Sequence, residues 1–118
     1  MTKTEKHIFH IFEKARWAEA QSRGEYVPEG YEKEGFIHLS SKHQLKSTAE
    51  KHNRGKTGLG VLKVEIARLK APLKYENLSG GEDLFPHLYG PLNIDAVTQI
   101  ALLGLSREGE VLWPDELF

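Results

Sequence analysis

Apolar residues alternate with polar ones in some stretches of the chain and recur at helical spacing in others. His7-Ile8-Phe9-His10-Ile11-Phe12 is rich in β-formers between charged flanks, and it predicts a first strand. Alternation puts Ile8, His10 and Phe12 on one face and His7, Phe9 and Ile11 on the other. Both faces are largely apolar, which suits a central strand. Glu13 to Arg23 predicts a helix anchored by Trp17, with Gly24 placed as its C′ glycine. Residues 25–34 hold Pro28 and Gly30 among charges and predict a surface connection.

Gly35-Phe36-Ile37-His38-Leu39-Ser40-Ser41 predicts a short strand that turns into a helix. Phe36, His38 and Ser40 share one face, and Ile37 and Leu39 the other. Ser41 and Gln44 have capping-box spacing, so the helix is expected to begin at Ser41. Leu45, Thr48, Ala49 and His52 then form its apolar stripe, and the helix is expected to stop before Gly55. Residues 53–60 predict a glycine-rich loop without the spacing of a phosphate loop.

The sharpest period-2 pattern follows, with Leu62, Val64 and Ile66 inward and Lys63 and Glu65 outward, predicting a half-buried strand. Leu73 to Glu76 predicts a short strand after Pro72, and Ser79 to Asp83 a loop. Two prolines keep Phe85-Pro86-His87-Leu88-Tyr89-Gly90-Pro91 out of regular helix. Val97 to Leu105 predicts a late central strand. Arg107-Glu108-Gly109-Glu110 has hairpin-turn chemistry, with Val111 to Trp113 pairing back before Pro114. This order of elements predicts an α+β fold in which two early helices pack on a mainly antiparallel sheet.

Composition narrows the function classes. The 118 residues suffice for one domain, residues 1–118, with a single core. Sixteen basic residues against 17 acidic ones give a net charge of −1. That balance lacks the basic excess of a phosphate-tracking nucleic-acid binder, so nucleic acid is not an expected partner. The chain has no cysteine, which excludes disulfides, thiolate catalysis and sulfur-ligated zinc. No apolar run approaches the roughly 18 residues of a membrane span, and the N-terminus lacks a signal-peptide core. A cytoplasmic protein with no membrane partner is expected, and nothing in the chain selects an oligomeric state.

Six histidines are present, and His10, His38 and His87 sit among apolar neighbours. Each alone can be a half-buried ring satisfied by a backbone carbonyl. Together they predict a shared cleft, because burying an imidazole carries a desolvation cost. In a cleft a histidine serves as acid, base or neutral donor. The same three rings could hold a metal by tertiary assembly, although none has helical H-x-x-x-H spacing. A serine nucleophile at Ser40 or Ser41 lacks the G-x-S-x-G elbow. His38-Leu39-Ser40 puts an imidazole and a hydroxyl on one strand face, an arrangement that can hold a phosphate or ribose hydroxyl. Two-histidine phosphoesterases need a second such tripeptide, which His87-Leu88-Tyr89 does not supply.

Several segments are recognisable. They are His7 to His10 with Trp17, Gly24-Glu25-Tyr26, Gly35 to Ser40 with Gln44, Tyr75-Glu76, and Phe85 to Leu92 with Ala96-Val97. In this order they resemble the DUF952 family, and the resemblance runs from about Lys6 to Trp113. That family is distantly similar in fold to ADP-ribosyltransferases. In those enzymes an early-strand histidine holds the adenosine-side ribose, and a later strand brings a serine or aromatic to the nicotinamide pocket. A glutamate orients the reacting ribose. The resemblance implies His10 in the first role, His38 and Ser40 in the second, and Glu76 or His87 in the third. No clear catalytic glutamate motif is present, so either His87 replaces it or the function differs.

The reading that results is a small nucleotide-binding protein, with NAD or an ADP-ribosyl group as candidate ligand or substrate. His38, His87 and Glu76 are its candidate catalytic residues. His10, Phe36, Ser40 and Tyr89 are its candidate ligand contacts, and no metal ligand is assigned. The alternatives are a non-catalytic module with a histidine-lined cleft, or a histidine metal site.

Overall fold

The computed structural model describes residues 5–28, 30–53, 57–77, 84–108 and 111–113, without the side chains at 50–53, 105 and 111. The loop expected at Ser79–Asp83, the stop at Gly55, the turn residues Gly109-Glu110, Pro114 and the side chain of His52 lie outside the described residues.

The chain runs β1 (His7–Glu13), α1 (Lys14–Arg23), β2 (Glu25–Tyr26), α2 (Tyr31–Glu34), β3 (Ile37–His38), α3 (Lys42–Asn53) and β4 (Leu59–Glu65). It continues through β5 (Leu73–Glu76), β6 (Phe85–Leu88), β7 (Leu92–Asn93), β8 (Val97–Leu102), β9 (Gly104–Leu105) and β10 (Val111–Leu112). Short 3-10 turns occupy Ile66–Arg68 and Ile94–Ala96.

Two three-stranded antiparallel sheets carry the fold, ordered β1-β4-β8 and β3-β6-β5. They meet where Phe9 and Ser40 exchange both backbone hydrogen bonds, at 2.8 and 2.7 Å. Across that bridge the strand order is β8-β4-β1-β3-β6-β5. β1 is therefore flanked on both sides, as its two apolar faces require. One face carries Ile8 and Phe12, which pack with Leu62, Val64 and the α1 residues Trp17 and Ala20. On the other, Phe9 packs with Val61, Ala101 and Leu45 of α3. The two longer helices cover opposite faces of the same sheet.

Several boundaries follow the sequence pattern. Gly24 closes α1 with φ 81°, a left-handed conformation that glycine adopts without a Cβ clash. Its N–H donates to the Ala20 carbonyl at 2.9 Å. At the start of α3 the Ser41 N–H donates to Gln44 Oε1 at 2.9 Å, which is half of a capping box. The other half is not made, because Ser41 Oγ donates to Glu5 Oε2 instead. β9 and β10 pair as the expected hairpin.

Other expectations need correction. Residues 25–34 are not only a surface connection: they contain β2, which pairs with β7, and α2. Tyr26 in this stretch is 2% exposed and belongs to the core. β4 is buried at Val61 as well as at Leu62 and Val64, so it is a central strand rather than a half-buried one. Ile66 leaves the strand for a 3-10 turn. β8 lies at the end of its sheet, not in the centre, and Ile100 and Leu102 are exposed.

The Phe85–Leu88 stretch is the middle strand of its sheet despite Pro86. Pro86 accepts the Leu39 N–H at 3.0 Å but has no N–H to return. The β3–β6 ladder therefore ends at His38, and the missing donor removes no bond from within it.

Candidate functional site

The second sheet gathers most of the candidate residues on one face. Leu88 and Ile37 point into the core and pair across the ladder, which sends His87 and His38 together to the opposite face. On β5, Lys74 pairs with His87, and Glu76 lies two residues further along the same face. Phe36 and Tyr89 extend the face beyond the strand ends.

The rings on this face are in contact. Phe36 lies 4.4 Å from His87 at 30°, 4.8 Å from His38 and 5.2 Å from Tyr89, centroid to centroid. His38 and His87 are 5.0 Å apart and nearly perpendicular, at 83°. Lys74 Nζ stands 5.1 Å from the centroid of the Tyr89 ring, a cation–π distance.

Glu76 organises the polar part. Its Oε1 accepts the Tyr89 hydroxyl at 2.5 Å and His87 Nδ1–H at 3.0 Å. The Tyr89 bond, then the His87 bond, hold the carboxyl below its ordinary value of 4.5. The same contact raises the Tyr89 hydroxyl. An ionised carboxylate only accepts, so His87 directs an Nδ1–H at Glu76, and its Nε2 takes no part in that bond. His38 forms a second carboxylate pair, donating from Nε2 to Glu34 Oε2 at 2.8 Å. Its side chain is 56% exposed, whereas that of His87 is 4% exposed. The face is open at His38 and sheltered at His87.

His10 and Ser40 are not brought to this face. His10 is buried on the first core face, where its Nδ1–H donates to the His38 carbonyl at 2.7 Å. Its Nε2 accepts the Tyr26 hydroxyl at 3.1 Å. Burial lowers its pKa to about 4, so it is neutral at physiological pH. Both ring nitrogens are engaged within the protein, leaving neither to hold a ribose. The Ser40 hydroxyl donates to Thr48 on α3 at 3.3 Å. The cleft expected to join His10, Ser40, His38 and His87 is thus split between the core, α3 and the outer sheet face. Two surface concavities lie elsewhere, one lined by Arg16, Glu19, Arg23 and Glu25 and one by Glu5, Lys42, His43 and Lys46.

The three-histidine metal alternative loses a ligand with His10. Among the described residues no group of three or more His, Asp or Glu side chains is arranged to hold a metal ion.

Three residues with a part in these contacts were not expected as site residues. Lys74 was legible from its i−2 alternation with Glu76, whereas Glu34 was not, because the Gly35 turn separates its helix from the His38 strand. Tyr26 stood out only as part of the family resemblance, and nothing local tied it to His10, 16 residues away on another strand.

No helix among the described residues is long and apolar enough to cross a membrane. No curated protein matches the chain. Residues 11–100 match the family model DUF952, described as a protein of unknown function. Among solved structures, the crystal structure of protein CC0527 from Caulobacter crescentus is 38% identical with a TM-score of 0.81. That alignment covers 90% of this chain and 93% of the other. The solution NMR structure of CC0527 is 39% identical at a TM-score of 0.75, covering 87% and 89%. Both are structural genomics targets. The family match runs from within β1 to within β8 and includes Phe36, His38, Lys74, Glu76, His87 and Tyr89 of the outer face of the second sheet. The chain therefore belongs to the DUF952 family.

Proposed function

We propose that the face formed by Phe36, His38, Glu76, His87 and Tyr89 binds a ribonucleotide, with NAD or an ADP-ribosyl group as the ligand. The observation that carries this reading is Glu76. One of its oxygens takes both the Tyr89 and His87 hydrogens, and Oε2 has no partner among the described residues. An ionised carboxylate so held can accept a ribose hydroxyl and stand beside a developing positive charge. The packed rings of Phe36 and His87 supply a stacking surface for a base or a nicotinamide. Lys74, on the same face, supplies a cation for phosphate.

The reaction in this reading is ADP-ribosyl transfer. The bond from ribose C1′ to the nicotinamide nitrogen breaks with its electron pair leaving on nitrogen, Glu76 stabilises the oxocarbenium-like carbon, and the oxygen or nitrogen of an acceptor, or water, bonds to C1′ and gives up its proton to solvent. A carboxylate suits that charge better than an imidazole, so Glu76 takes this role and His87 orients it.

A second reading, a non-catalytic binding module, draws on the openness of the face. With His38 56% exposed, water reaches the site unless the ligand displaces it. Binding tolerates that water more easily than transfer to a chosen acceptor does.

Isothermal titration with NAD and with ADP-ribose tests the shared part of both readings. Binding at millimolar concentration or tighter is expected, and no heat at millimolar ligand overturns them. Nicotinamide release separates the two. The enzyme releases it faster than Glu76→Gln and His38→Ala, whereas the module shows the same background rate in all three.

A further inference from the structure

We propose that His38 and His87 form a general acid–base pair that opens a 2′,3′-cyclic ribonucleotide with water. The inference rests on the same face taking a ribonucleotide, but on neither NAD nor glycosyl transfer.

Two carboxylate–imidazole pairs stand on this face, Glu76–His87 at 3.0 Å and Glu34–His38 at 2.8 Å. A carboxylate on one ring nitrogen fixes the tautomer and makes the other nitrogen a better base. The register of β3 and β6 then places the two rings 5.0 Å apart at 83°. The chain has no second His-x-Ser tripeptide, but antiparallel pairing supplies the second imidazole from a different strand.

His87 Nε2 is reachable although its ring is nearly covered. Among the described residues the only sealed side-chain nitrogen or oxygen without a partner is Arg16 Nε. Among the described residues His87 Nε2 has no partner and is not sealed, so it faces solvent there. With Nδ1–H held by Glu76 and Nε2 turned to solvent, it is the base. His38 is exposed beside it, with its Nε2–H held by Glu34 at 2.8 Å, and takes the part of the acid. The other charged or titratable groups on the face are Glu76, Lys74 and Tyr89. Lys74 opposes the negative charge that gathers on phosphorus oxygens.

The step balances without a cofactor. Water gives its proton to His87 Nε2 as its oxygen bonds to phosphorus. The bond from phosphorus to O2′ breaks with the electron pair on O2′, which takes a proton from His38. The product is the 3′-phosphate, and proton exchange with solvent restores both rings.

The test is incubation of the full chain with 2′,3′-cyclic AMP, with the products separated chromatographically. Conversion to 3′-AMP with a bell-shaped pH profile is expected. His38→Asn should lower the rate by at least about 100-fold and remove the high-pH limb. Because His38 is exposed, this variant tests the proposal even if His87→Asn fails to fold. No turnover above buffer, or an unchanged rate and profile in His38→Asn, overturns the proposal. Binding of ADP-ribose with cyclic AMP left intact overturns this inference alone. Turnover of cyclic AMP without NAD or ADP-ribose binding upholds it and removes the NAD reading.

Discussion

His10 holds the backbone of His38 from behind, its Nδ1–H donating to the His38 carbonyl at 2.7 Å. The carbonyl only accepts, so the neutral ring leaves Nε2 as the acceptor for the Tyr26 hydroxyl. The contact falls beside the Phe9–Ser40 bridge. There the imidazole spans the junction at which β1 meets the chain leaving β3. A core histidine and an exposed one are therefore linked through backbone, while their rings serve different surroundings.

The burial of His10 makes stability depend on pH. Its folded pKa is about 4, against 6.5 for an ordinary histidine. Between those values the unfolded chain binds the proton and the folded chain does not. Stability is thus complete above pH 6.5 and falls as pH drops toward 4, by on the order of 3 kcal/mol in all. Urea unfolding at steps from pH 7 to pH 4 measures it. His10→Gln should flatten the slope over this window, and an unchanged slope would assign it to another group.

Tyr26→Phe should destabilise the protein by about 1–3 kcal/mol, because it leaves His10 Nε2 buried without a donor. The ring itself, 2% exposed, keeps its packing in the variant. Denaturant unfolding at neutral pH checks this, and a change below a few tenths of a kcal/mol would mean that water replaces the hydroxyl.

Gly60 tests the packing of β1 on β4. A Cβ there would stand 2.6 Å from Phe12 Cε1 and 2.7 Å from the Ala101 carbonyl oxygen. The backbone oxygen cannot swing aside as a flexible side chain does. Gly60→Ala should cost about 1–3 kcal/mol through overpacking. An unaltered melting temperature would show that the strand spacing there is looser than described.

Glu76 has its own pH signature. Tyr89 and His87 hold its carboxyl below 4.5, so the unfolded chain takes up that proton first as pH falls. The stabilisation is present above pH 4.5 and is lost as pH falls through the depressed folded value. Comparing wild type with Glu76→Gln in urea checks this. The gap between their midpoints should be widest near neutral pH and close in acid. A gap independent of pH would mean that the carboxylate charge contributes nothing.

The legible parts of the fold were those whose pattern is local. β1, α1 with its glycine stop, β5 and the β9–β10 hairpin each declare themselves within a dozen residues. β2 was hidden because Tyr26 stands among charges, and its partners are distant: β7 across the ladder, and His10 and Trp17 against its ring. β6 was hidden by Pro86, whose lost donor is harmless only because β3 ends opposite it. At the candidate site, alternation put Phe36 and His38 on one face, but extending that face to Ser40 failed because Ser40 pairs with β1 and turns toward α3. The meeting of His38 with His87 depends on a register between strands nearly 50 residues apart, which no local pattern encodes.

The central claim is that the outer face of the β3-β6-β5 sheet is where this protein takes its ligand. Amide chemical-shift mapping by NMR with ADP-ribose tests it most directly. Saturable shifts centred on Phe36, His38, Glu76, His87 and Tyr89, abolished in Glu76→Gln, are the predicted result. Saturable shifts centred on the Glu5, Lys42 and Lys46 concavity, or none at millimolar ligand, would contradict it.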